Sequence, residues 1–335
     1  MKVELDAAPS AFDTLAEEWD GLLNVNNPAD LFLSRGWQRV WWKHMQTGTL
    51  EVMTVRDEAN ALVGVMPLFI QRHDTDLAVH IVGCEDITDY LDFVLQPGCE
   101  EAALDAWLAF MLSDSSPDWD VIDLCNIQAT SPLVEHLPRL AQARGLAVET
   151  PQQNVCPVVT LPDDYQDYLM MLDGKQRHEL RRKRSRADAQ GAGFYLVGPE
   201  HDLDEEIDSF LELMALSAPA KADFLQEPGH RAFFHETGKL LYDQGVLNLV
   251  FLTVEGQRAA AMWQFGYGDR MMLYNSGLDA ATFSYLSPGI VLLTYSIQDA
   301  IRRGFRYYDF LRGDETYKYR MGAETTTLHN VIIRR

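Results

Sequence analysis

Cysteine is scarce in this 335-residue chain. Cys84, Cys99, Cys125 and Cys156 form no C-x-x-C pair and stand at no metal-like spacing to histidine. That excludes a disulfide-framework scaffold and a zinc-finger type site, and predicts four reduced core thiols with no catalytic one. Long apolar runs are also missing. The longest, Ala61–Ile70, is ten residues broken by Pro67, too short to span a bilayer. The opening residues, Met1-Lys2-Val3-Glu4-Leu5-Asp6, have no apolar signal core, so a cytoplasmic location is expected. Neither G-x-x-x-x-G-K nor G-x-G-x-x-G occurs, and the nine histidines are scattered without a triad-like or ligand-like grouping. No metal site is expected.

Positive charge is in short supply: 28 Lys and Arg stand against 50 Asp and Glu, a formal net charge of −22. A surface so acidic repels nucleic acid backbone and anionic lipid, which makes a local basic stretch informative. Between Lys175 and Arg186 there are seven basic residues and one acid, Glu179. The first reading is a solvated helix face paired with acids, the second a seat for an anionic acceptor, the third an RNA contact. Nucleic acid binding is not expected, because the remaining acidity opposes a polyanion.

What the chain has in plenty is periodic pattern. Helical spacing appears at Ser10–Leu23, from Ser34 (Trp37, Val40, Trp41, Met45), and at Glu100–Leu112, Leu133–Arg144, Tyr165–Leu172, Lys175–Gln190, Asp204–Ala215, Arg231–Asp243 and Ile290–Gly304. Strand patterns include Glu51–Arg56, Leu62–Gln71, Tyr90–Leu95, Trp119–Cys125, Leu247–Val254, Ala259–Tyr267, Arg270–Gly277 and Phe305–Leu311. The order repeats. Trp119-Asp120-Val121-Ile122-Asp123-Leu124 and Phe305-Arg306-Tyr307-Tyr308-Asp309-Phe310 each follow an amphipathic helix and carry an aspartate fifth. Two copies of one α+β unit account for the length, with a boundary expected near residue 162.

Two segments could carry chemistry. Ser287-Pro288-Gly289-Ile290 joins a strand to a helix. Ser287 reads as an N-cap, Pro288 suits the first turn and Gly289 allows close approach, so amides there would receive a phosphate or pyrophosphate. Downstream, Asp309-Phe310-Leu311-Arg312-Gly313-Asp314-Glu315-Thr316-Tyr317-Lys318 gathers candidate bases, cations and phenols. Asp309 or Glu315 could take a proton from an acceptor, Tyr317 could protonate a leaving thiolate, and Arg312 or Lys318 could hold an anionic substrate. A charged surface loop with an internal Asp–Arg pair is the competing explanation.

These two segments together resemble the C-terminal signature of GNAT-fold acyltransferases of the CelD-like (cellulose biosynthesis) group, relatives of the FemAB peptidyltransferases. The basic segment Gly174–Gly191 and the Cys156-Pro157 strand agree with it. The resemblance implies an α+β architecture of two tandem GNAT-like (acyl-CoA N-acyltransferase) domains, with mixed, mostly antiparallel sheets flanked by helices. The expected division is 1–162, without a donor site, and 163–335, with one. In the first copy neither Asp86–Asp89 nor Gln96–Glu100 has the Ser-Pro-Gly form, and even Gly289 stands alone where the usual loop is richer in glycine.

The implied donor is acetyl-CoA or another acyl-CoA, and the implied acceptor a small or saccharide-linked molecule. Tyr274, Asn275, Ser287, Pro288, Gly289 and Ile290 would hold the donor. Trp263 and Asp92 would line the acceptor side. The acceptor would attack the thioester directly, with strand amides polarising the carbonyl. A FemAB-like transfer from aminoacyl-tRNA and a non-catalytic GNAT-like module in polysaccharide biosynthesis are the alternatives.

Overall fold

The structure, a computed structural model, describes residues 1–24, 27–84 and 87–335, so Asp86 lies outside the described residues. The chain forms two compact units, Met1–Val155 with Thr326–Arg335, and Cys156–Thr325. They are not the contiguous halves expected, because the last strand joins the first unit.

In the first unit the strands are β1 (Lys2–Asp6), β2 (Thr49–Arg56), β3 (Leu62–His73), β4 (Asp76–Ile81), the short β5 (Val94–Leu95), β6 (Val121–Gln128) and β7 (Ala147–Glu149). β1 through β4 form an antiparallel meander; β6 then adds parallel to β4, with Ala78 opposite Val121. Only Val94–Leu95 is strand in the predicted Tyr90–Leu95, and the predicted Ser10–Leu23 helix is two short ones, Ala11–Thr14 and Ala16–Asp20. Helix Arg35–Met45 starts where Ser34 accepts from the Trp37 amide, and buries Trp37, Val40 and Trp41. One cysteine expectation fails: Cys84 and Cys125 are joined by a disulfide, with Cα atoms 5.8 Å apart. Parallel pairing of β4 with β6 brings together residues 41 apart in sequence, which spacing does not reveal. Cys99 and Cys156 are free.

In the second unit the strands are β8 (Gln152–Thr160, which enters it at Cys156), β9 (Ala192–Leu196), β10 (Leu247–Val254), β11 (Gln257–Tyr267), β12 (Arg270–Leu278) and β13 (Tyr307–Asp309). β9 through β12 are an antiparallel meander and β13 adds parallel to β12, the same order as in the first unit. Each unit then closes antiparallel with a strand from the distant part of the chain. β8 pairs with β13, while β14 (Glu324–Arg334) pairs with β6 and β7. Leu328, Val331 and Ile333 of β14 are fully buried.

Helix Pro288–Arg302 packs its apolar stripe (Val291, Leu292, Ile297, Ala300, Ile301) into the core of the second unit. At about 1.5–3 kcal/mol per large buried side chain this face contributes roughly 10 kcal/mol before entropy. Across the sheet, helix Leu203–Ser217 lies so close to β12 that a Cβ on Gly277 would sit 2.3 Å from the Met214 amide nitrogen. Four helices lie outside the sequence expectations, Ala29–Phe32, Pro219–Phe224, Ala280–Phe283 and Thr316–Arg320, each shorter than two turns. Among the described residues no single helix is long and apolar enough to cross a membrane.

Candidate active site

β12 and β13 run side by side for three pairs, Arg270–Tyr307, Met271–Tyr308 and Met272–Asp309, and then part. β13 ends there, while β12 continues for six residues, Leu273–Leu278, bonded on its other side to β11. On that side Trp263 faces Asn275 and Gln264 faces Leu273, so Tyr274 is the extra residue of a β-bulge. A bulge turns local amides out of the ladder. Beyond Met272 this edge of β12 has no strand partner among the described residues, close to where Tyr274 and Asn275 are expected to serve.

The strand leads through a helical turn, Ala280–Phe283, and a 3-10 turn, Ser284–Leu286, into Ser287 and helix Pro288–Arg302. Ser287 is left-handed (φ 55°, ψ 57°) and its side chain caps nothing, contrary to the expected N-cap bond. Pro288 is buried at the first helical position and brings no N–H. Ile290 and Val291 both donate to the Ser287 carbonyl at 3.1 Å, which leaves the Gly289 amide without a partner among the described residues. A Cβ on Gly289 would come 3.1 Å from Leu278 Cδ2 at the end of β12, so glycine keeps this corner open.

The loop after β13 is organised from within. Asp309 is fully buried; it accepts the Leu311 amide at 2.8 Å, and Arg270 Nη1 lies 3.7 Å from its other oxygen. That amide fixes Leu311 in the left-handed region (φ 53°). Asp309 is thus a turn-holding carboxylate enclosed by protein. Lys318, expected to meet substrate, is buried. Its Nζ donates to the carbonyls of Arg312 (2.7 Å), Gly313 (3.1 Å) and Leu311 (3.4 Å) and pairs with Glu315 at 2.9 Å. A cation turned inward satisfies carbonyls that a tight loop leaves without strand partners.

Glu315 stays largely exposed. Tyr317 packs edge-on against Phe310, and burial, then the Glu315 carboxylate, push its phenol above the ordinary range. A phenol held above 10 suits hydrogen-bond donation better than giving a proton to a thiolate, whose ordinary value is near 8.5. The Arg312 carbonyl is tied to Lys318 while its side chain is half-buried.

Two other expectations move away from this edge. Trp263 is buried between Phe210 (5.3 Å) and Phe234 (5.2 Å), so it is core, not a pocket wall. Asp92 belongs to the first unit, buried, accepting the Phe93 amide at 2.8 Å; desolvation pushes its carboxyl up to about 7.

The basic helix, Gly174–Ala189, starts at Asp173, whose side chain accepts from the Gln176 amide. Its cations are mostly engaged. Arg184 stacks on Tyr295 at 4.1 Å and donates to Gln298, Arg186 donates to the Tyr285 carbonyl, and Arg182 pairs with Glu179. A cavity of about 640 Å³ lies elsewhere, by the β10–β11 turn, walled by Tyr195, Glu206 and Arg258.

One residue at the strand edge was not expected. Lys221, on helix Pro219–Phe224, donates from Nζ to Asn275 Oδ1 at 2.9 Å and to the Ser276 carbonyl at 2.5 Å. Burial lowers its amine to about 8, an effect the Glu315 carboxylate opposes.

Residues 174–319 match the family described as "Acetyltransferase (GNAT) domain". No curated protein matches the chain. Among solved structures, FemX is similar over 98% of this chain and 97% of its own at a TM-score of 0.65 and 11% identity. The C-terminal domain of a putative lysylphosphatidylglycerol synthetase from Agrobacterium fabrum covers 96% and 92%, with a TM-score of 0.58 and 11% identity. A tandem GNAT protein from the clavulanic acid biosynthesis pathway covers 98% of both chains, with a TM-score of 0.50 and 10% identity. Identities this low speak for the fold, and the specific CelD-like grouping is not among these findings. The chain therefore has a GNAT fold with mixed sheets flanked by helices, and residues 174–319 carry an acyltransferase domain of the GNAT type.

Proposed function

We propose that the protein is an acyl-CoA-dependent N- or O-acyltransferase, in which a small or saccharide-linked acceptor attacks the thioester directly. The observation that carries this is the parting of β12 from β13 beside the Tyr274 bulge, with the free Gly289 amide and the helix start at the end of the same strand. An extended acyl arm fits along the side of β12 that β13 leaves beyond Met272, and a pyrophosphate fits a helix start that carries partial positive charge. The residues present suit that donor: Gly289 has no side chain to fill the corner, and Tyr274 and Asn275 lie at the exposed edge. The main chain of β12 beyond Met272 would line the thioester and polarise its carbonyl. The reading needs no covalent intermediate on the protein.

Calorimetry with acetyl-CoA tests this. Wild-type protein is expected to bind, and Gly289→Trp to lose binding while melting normally. Equal binding by both proteins, or none by wild type, would refute the assignment.

The aminoacyl-tRNA alternative draws on the exposed cations of the basic helix, Lys175, Arg181 and Arg182. It requires RNA binding that weakens steeply with salt. A gel shift that is absent at low salt removes it.

A further inference from the structure

Two bases were expected from the sequence, and neither stands free. Asp309 is enclosed and holds Leu311, while Glu315 is paired with Lys318. A titratable side chain does stand at the open edge of β12, and it comes from the short helix that follows Leu203–Ser217. We propose that Lys221 is the base that takes the proton from the attacking acceptor. This rests on the acyl-thioester reading above.

The geometry supports the role. Lys221 Nζ is 2.9 Å from Asn275 Oδ1 and 2.5 Å from the Ser276 carbonyl, directly beside the bulged Tyr274. Asn275 Oδ1 also accepts the Ser276 amide at 2.8 Å, so the amine is held by a side chain that is itself fixed to the strand. A neutral amine has two N–H bonds and one lone pair. Asn275 and Ser276 use both N–H bonds, and tetrahedral geometry then leaves the lone pair pointing away from the strand. Burial shifts the balance toward the neutral form and brings the amine down to about 8, so a usable share is neutral near physiological pH and most of it above 8. Among the described residues Glu315 is the charged group whose field reaches Nζ, and it acts in the opposite direction. Helix Leu203–Ser217, β12 and the exposed Asp223 on Lys221's own helix contribute no such field. A base near the working pH is the efficient kind.

The step balances. The acceptor N–H or O–H gives its proton to Nζ as the acceptor atom bonds the acyl carbon. The acyl–sulfur bond breaks and its electrons leave on the thiolate. The ammonium returns the proton to that sulfur, which gives the acylated acceptor, free CoA thiol and neutral Lys221.

The test uses acetyl-CoA as the donor and water as the acceptor. Binding is read by calorimetry and thiol release is followed from about pH 6 to 10, with the protein-free rate subtracted. Wild-type release is expected to rise with pH and level off above about 8, as the neutral amine fills. Lys221→Met is expected to bind acetyl-CoA as wild type does, to release thiol on the order of 100-fold more slowly, and to lose the step near pH 8. Added ethylamine should restore part of the rate. Lys221→Gln replaces the Met variant if that melts early. A variant that keeps the step, or turns over at the wild-type rate, overturns the role of Lys221 alone. Failure of wild type to bind acetyl-CoA overturns the donor reading, and this proposal with it.

Discussion

Replacing Gly277 by alanine is a sharp probe of how β12 is held. A Cβ there would lie 2.3 Å from the Met214 nitrogen and 2.4 Å from the Leu213 carbonyl carbon, both main-chain atoms of helix Leu203–Ser217. Ordinary contact begins near 3.4 Å, so the helix must retreat by about 1 Å. Leu213 and Met214 are buried, so that retreat loosens packed side chains as well. Overpacking of this kind costs about 3 kcal/mol, and removing a glycine from a strand recovers up to about 1. A net loss of about 2 kcal/mol corresponds to a melting temperature lower by roughly 4–8 °C for a unit of this size. Thermal unfolding by circular dichroism measures it. Gly289→Ala is the control, because its new Cβ meets the end of a movable leucine at 3.1 Å and should cost less than about 1 kcal/mol. If Gly277→Ala melts within about 1 °C of wild type, the close helix–strand approach does not exist in solution.

Other substitutions probe the remaining parts. Lys318→Met leaves the carbonyls of Leu311, Arg312 and Gly313 without their shared donor; a loss of about 3 kcal/mol in denaturant unfolding is expected, and an unchanged midpoint would show that water takes the place of the ammonium. Tyr168→Phe removes the bond to the Met321 carbonyl at 3.0 Å, which should lower stability by about 1 kcal/mol in the same assay. Asp92 has a folded-state value of about 7 against 3.8 unfolded, so the folded state holds the proton more tightly and stability falls as pH rises from about 4 to 7. That term approaches about 4 kcal/mol at full burial. Asp92→Asn should flatten the decline, and a chemical-denaturation series that declines equally in both proteins would refute the assignment to Asp92.

Much of the architecture was legible along the chain. The repeated aspartate strands do occupy matching places, β6 parallel to β4 and β13 parallel to β12, because strand and helix periodicities are local properties. Pairing between distant segments left no such trace, and so the closing strands and the Cys84–Cys125 bond were not foreseen. At the site, proline and glycine mark the Ser287 turn, whereas Tyr274 and Asn275 are named only through the family resemblance. Lys318 and Asp309 look like surface charges in the sequence. Their burial follows from the left-handed Leu311 and from carbonyls facing inward, which composition does not encode. Lys221 sits on a six-residue helix, too short to show a period, so only its nearness to Asn275 draws notice.

The reciprocal closing strands have a consequence for synthesis. β6 is complete once Gln128 has been made, yet its partner β14 begins at Glu324, about 200 residues later. At roughly 5–20 residues per second the ribosome needs about 10–40 s to deliver it. Through that interval the nascent first unit carries an unpaired edge with apolar Ile122, Leu124 and Ile127, the kind of surface that invites wrong pairing between neighbouring chains on one message. Slow codons or a waiting chaperone would act on this exposed edge.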